Sequence, residues 1–122
     1  MKPPIIVNDH GDISVFKTVA DAENYLESPD VLAGQYVAYD SDGRLLKLNA
    51  PKQKKYGLLW FTIISIDKIS ISNGESQASH VEELKSILKD FLEYLGISKQ
   101  WLEEASLNDL LAKCIDKAGY TK

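Results

Sequence analysis

At 122 residues the chain has room for one domain and none for a second hydrophobic core of ordinary size. Apolar residues make up 44% and charged residues 26%, unlike the apolar-poor, charge-rich composition of disordered chains, so a single folded domain spanning 1–122 is expected. Fourteen basic groups against eighteen acidic ones leave a net charge of −4, and Arg44 is the one arginine, a poor basis for a phosphate-binding face. Direct nucleic-acid binding is therefore not expected, and the acidic balance suits a basic protein partner better.

The opening MKPPIIVNDHGD lacks the apolar core of a secretory signal. The longest apolar run, Leu58 to Ile64, is broken by Thr62 and falls far short of the ~20 residues that span a bilayer. The lone cysteine, Cys114, has no intrachain disulfide partner. These features give the expectation of a cytoplasmic chain of bacterial type with no membrane contact.

Pro3 to Val7 and Ile13 to Phe16 read as antiparallel strands, with Asn8-Asp9-His10-Gly11-Asp12 as a loop of about five residues between them. Thr18 is placed to accept from a free backbone amide, and Val19, Ala22, Tyr25 and Leu26 recur at helical spacing, so a helix follows and stops before Pro29. Gln35–Asp40 and Arg44–Leu48 form a second hairpin whose tip is Ser41-Asp42-Gly43. The polar linker Asn49–Lys55 precedes Gly57–Ile66, which reads as a central strand covered on both sides. A change of apolar parity at Asp67-Lys68 then leads into a strand with Ile69 and Ile71.

From Ser79 the period becomes helical. Ser79 and Glu82 have capping-box spacing, and Val81, Leu84, Ile87, Leu88, Phe91, Leu92 and Leu95 form an apolar stripe ended by Gly96. Ser98 opens a short helix with Trp101 and Leu102. Ser106 opens a last one with Leu107, Leu110, Leu111, Cys114, Ile115 and Ala118, ended by Gly119. The fold class is α+β: an antiparallel sheet of about five strands, one N-terminal helix, and two or three C-terminal helices on one face.

No catalytic constellation emerges. Asp40-Ser41-Asp42-Gly43 has the start of a calcium loop, but the twelfth position counted from Asp40 is Pro51, which offers no ligand, so a tight turn is the better reading. His10 and His80 belong to no Cys/His spacing for zinc, and neither metal nor cofactor is expected. Cys114 sits on the stripe of Leu107, Leu110 and Leu111 and reads as core. Lys52, Lys54 and Lys55 near Tyr56 and Trp60 read better as an aggregation-blocking loop than as a single-strand binder. An enzyme would have to rest on His10 oriented by Asp9 or Asp12.

The segment IIVNDHGDISVFKTVADAENYLESPDV, followed by YVAYDSDGRLLKL, resembles the amino-terminal region of small bacterial immunity proteins of polymorphic-toxin and contact-dependent growth inhibition loci. The resemblance covers residues 4–48, and nothing from Lys52 onward matches a family. It implies a non-catalytic protein that binds a cognate toxin domain, a basic nuclease for example, and blocks its active site. The acidic tips Asp9, Asp12, Asp40 and Asp42, with Tyr39 as an aromatic anchor, are the candidate contact residues. The alternative is a regulatory or structural protein-interaction module.

Overall fold

The structure is a computed structural model that describes residues 1–26, 31, 34–50 and 69–121. It is an α+β fold with two small antiparallel sheets and, among the described residues, four helices. Strands β1 (Ile5–Asp9), β2 (Asp12–Phe16) and β3 (Val37–Tyr39) form one sheet in the order β2-β1-β3. Strands β4 (Leu46–Asn49) and β5 (Ser70–Asn73) form the other. The expected Gly57–Ile66 strand, the turn at Asp67-Lys68 and residues 51–55 of the expected linker lie outside the described residues, while Asn49, expected to open that linker, ends β4.

The first hairpin is tighter than its sequence suggests. β1 and β2 pair out to Asp9↔Asp12, leaving a two-residue turn, His10-Gly11, in place of the expected five-residue loop. Both turn residues have positive φ (51° and 97°), the combination whose twist matches that of the flanking strands. Asn8 Oδ1 holds the turn by accepting from the Gly11 amide at 2.8 Å.

The second hairpin is only partly formed. Tyr39 and Leu45 make one isolated bridge, and beyond it β3 pairs with β1 while β4 pairs with β5. The five described strands therefore divide into a sheet of three and a sheet of two, where one sheet was expected, so that expectation is met in part. The turn between β3 and β4 is organised around the Asp40 carboxylate instead of a continuing ladder.

Helix α1 (Val19–Tyr25) starts as its sequence requires, with Thr18 Oγ1 accepting from the Asp21 amide at 3.1 Å, a cap worth about 1 kcal/mol. Its Ala22 and the following Leu26 are buried. Tyr25 is half exposed and leans on Phe16, the ring centroids 5.2 Å apart. Glu23 Oε2 accepts from the Ile71 amide at 2.8 Å, which ties α1 to β5.

Three helices follow: α2 (Val81–Tyr94), α3 (Lys99–Glu104) and α4 (Leu107–Ala118). α2 does not begin with the expected capping box. His80 is its N-cap and makes no side-chain cap bond, and the Ser79 hydroxyl donates to Glu75. The His80 amide instead donates to the Gly43 carbonyl at 3.1 Å, so tertiary docking of the 40–44 turn sets where the helix starts. At the other end Gly96 N–H reaches Glu93 O and Ile97 N–H reaches Leu92 O, a glycine-terminated stop as expected. Ser98 caps α3 through the Trp101 amide, and Ser106 with Asp109 forms a reciprocal box on α4.

The sheet β2-β1-β3 separates two apolar clusters. Ile6, Ile13, Val15 and Tyr39 point to the face covered by Leu84, Leu88 and Leu92 of α2 and by Leu110, Leu111 and Cys114 of α4. Ile5, Val7, Phe16 and Ala38 point to the other face, against Ala22, Leu26, Leu46, Ile69 and Ile71. β1 is thus covered on both sides. After α4 the chain returns to β2, where the Thr121 amide donates to the Val15 carbonyl at 2.7 Å. No helix among the described residues is long and apolar enough to cross a membrane.

Because α2 and α4 cover one whole face of the sheet, a chain ended after Gly74 should expose Ile6, Ile13, Val15 and Tyr39 and fail to fold. Circular dichroism and urea unfolding of residues 1–74 should show no cooperative transition. A sigmoidal transition would mean that two units fold independently.

Candidate partner-binding surface

The five candidate contact residues do not form one surface. β1 runs antiparallel to β3 with Asn8 opposite Val37 and Ile6 opposite Tyr39, so Asp9 and Asp12 close one end of the sheet while Asp40 and Asp42 follow Tyr39 at the other. α2 lies between these ends, its start against Gly43 and its last turns against the His10-Gly11 turn. In that register Asp40 falls opposite Ile5, four strand residues from Asp9, so at about 3.3 Å per residue the two acidic tips stand roughly 13 Å apart along the sheet.

At the Asp40 end the candidates are structural. Tyr39 is 1% exposed and Asp40 is fully buried, so neither is available to a partner. Asp40 Oδ1 accepts from the amides of Asp42 (3.0 Å) and Arg44 (2.9 Å). Its Oδ2 accepts from the Lys2 amide (3.3 Å) and from Arg44 Nη1 (3.2 Å). The same guanidinium reaches Asp42 Oδ2 at 2.9 Å, and its Nε donates to the Ser76 carbonyl. Burial alone would raise the Asp40 carboxyl, but the bonds from Arg44, Lys2 and Asp42 together outweigh it and hold the group below the usual carboxylate range. Asp42 stays partly exposed and is engaged by Arg44 and by Lys2 Nζ at 3.6 Å.

A polar knot missed in the sequence adjoins this turn at the start of α2. His80 Nδ1 lies 2.5 Å from Glu75 Oε1, and its Nε2 lies 3.7 Å from Glu83 Oε2. Burial first, then a hydrogen bond with Glu83 and that carboxylate's charge, push the Tyr39 phenol well above its ordinary value. The knot joins α2, β3 and the segment after β5. No local motif marks it, because its members meet only through the fold.

The Asp9 end is open. His10 Nδ1 is 3.0 Å from Asp9 Oδ1, but the His10 side chain is 76% exposed, so the pair stands in solvent. Beside it, His10, Gly11 and Asp12 from the turn and Asp90, Phe91 and Tyr94 from α2 line a cavity of about 420 Å³. Phe91 is partly buried against the core, whereas Tyr94 is 87% exposed, the most exposed of the large apolar side chains among the described residues. The result is an acidic ledge around an aromatic floor. Asp90 and Tyr94 carried a readable signal, since they fall off the apolar stripe at helical spacing. Their approach to Asp12 requires the tertiary fold.

The described residues contain no group of three or more His, Cys, Asp and Glu side chains arranged to hold a metal. Cys114 is fully buried, and burial pushes its thiol up to about 11, the opposite of an activated nucleophile. Thiol reagents should therefore label Cys114 only after denaturation; rapid labelling of the folded chain, followed by absorbance, would overturn its placement.

Asp40 also predicts an acid dependence. A carboxyl depressed in the folded state stabilises above its unfolded value near 3.8, and that contribution is lost as pH falls through the folded value. Asp40→Asn removes the charge that Arg44 and three amides hold and should cost about 3 kcal/mol near neutrality, the low end for breaking a buried pair. In urea titrations from pH 7 to pH 2, the variant should lose less stability than wild type below about pH 4. Parallel curves would show that the Asp40 charge contributes nothing.

Comparison with known proteins adds no assignment: no family model, no curated protein and no solved structure matches this chain.

Proposed function

We propose that this chain is a non-catalytic, cytoplasmic protein-binding protein that neutralises a cognate bacterial toxin domain with a basic surface, and that it contacts the toxin through the Asp9–Asp12 end. The observation that carries the reading is the ledge itself, where exposed Asp12 and Asp90 line one cavity with Tyr94 at a junction of turn and helix. Complementary charge of this kind speeds encounter, and an exposed aromatic supplies an anchor at low entropic cost. The immunity role itself is drawn from the resemblance of residues 4–48.

The structure changes which residues carry the reading. Tyr39 and Asp40 leave the contact set because they are buried, and Asp42 belongs to the Arg44 turn. Asp9 and Asp12 stay, joined by Asp90 and Tyr94. An enzyme based on His10 gains little support, since its imidazole lies in solvent with Asp9 as its neighbour and lacks the water-excluding setting that strengthens acid–base work.

Asp9→Asn/Asp12→Asn should keep the fold and slow association with the toxin of the neighbouring locus about tenfold at low salt, with a reduced salt dependence. Asp42→Asn should leave the association rate unchanged. Stopped-flow kinetics over a salt series would read both, and equal slowing by the two variants would remove the Asp9 end as the contact. Lack of protection against any toxin encoded beside this gene would remove the immunity reading.

A further inference from the structure

Asp12 and Asp90, both exposed, line one cavity from two separate elements. Asp40, Asp42, Glu75, Glu83 and Glu93 each face a basic group of the chain itself. Neither Asp12 nor Asp90 takes part in an ion pair among the described residues, although they come from separate elements onto one cavity. Between them the floor is aromatic, Phe91 seated against the core and Tyr94 standing free. Two unpaired anions on the rim and an apolar π-face beneath call for a cation that is flat and weakly hydrated.

We infer that the ledge seats one arginine side chain presented by a protein partner, its guanidinium plane against Tyr94 and its two edges toward Asp12 and Asp90. An arginine fits both demands, because the planar fork donates in two directions at once and stacks on an aromatic ring. A lysine ammonium is a compact, strongly hydrated point charge and satisfies only the anionic half. This inference rests on the protein-binding reading above and gives it a residue class on the partner's side.

The test uses the full-length ¹⁵N-labelled chain titrated with acetyl-Gly-Arg-Gly-amide, and with the same peptide carrying lysine or citrulline, followed by amide chemical shifts. The arginine peptide should move the amides of residues 10–12 and 90–94. Lysine should bind about threefold more weakly for want of stacking. Citrulline, which keeps the shape and loses the charge, should bind about tenfold more weakly. Tyr94→Ala should weaken arginine about threefold, and Asp12→Asn/Asp90→Asn about tenfold. Both variants alter exposed side chains, and an unchanged thermal midpoint would verify their folding. Equal binding of arginine and citrulline, or shifts confined to other residues, would overturn the inference. The peptide needs no toxin, so arginine binding without protection upholds the ledge and overturns the immunity reading alone. Protection without arginine binding does the reverse.

Discussion

A single buried carboxylate holds the junction on which the architecture depends. Taking the Asp40 side chain out of water costs several kcal/mol, and four donated hydrogen bonds offset that, each to a charged acceptor and each worth about 1.5–3 kcal/mol. Three of the donors are backbone amides, which cannot move away without unfolding the turn. Through Arg44 the same turn reaches Ser76, and through the Gly43 carbonyl it fixes the first turn of α2. The N-terminal segment, the passage between the two sheets and the start of α2 therefore share one electrostatic anchor.

The steric side of that junction is equally demanding. Gly43 has φ of +89°, and a Cβ there would come within 2.8 Å of the Val81 backbone. Any side chain would have to force α2 away from the turn. Asp40 and Gly43 thus work together: the carboxylate curls the chain, and the missing side chain lets the helix close on it. The outcome is that α2 crosses the sheet at a fixed height, which brings its far end against the His10-Gly11 turn.

Much of the local structure was legible in the sequence. Thr18, Ser98 and Ser106 cap the helices that they precede, and Gly96 and Gly119 end theirs. These features depend on neighbours a few residues away. Ser79 fails as a cap because its hydroxyl finds Glu75 and its segment is pulled by Gly43, both tertiary events. The candidate contact residues fail for the same reason. Asp40 and Asp42 look like Asp9 and Asp12 in sequence, two hairpin tips rich in Asp and Gly, yet one tip folds inward around its carboxylate and the other stays in solvent. The continuous run Ile5-Ile6-Val7 was the available sign that β1 is covered on both faces, a role that its brevity concealed.

The distance between anchor and ledge has a bearing on how such a chain can change over generations. Asp12, Asp90 and Tyr94 stand at the far end of α2 from the Asp40 junction, and exposed positions of this kind usually alter stability by no more than about 0.5 kcal/mol when exchanged. Substitutions there leave the anchor intact, with Gly11 excepted because its backbone requires positive φ. The fold can therefore hold still while the surface chemistry of this end changes one exposed residue at a time.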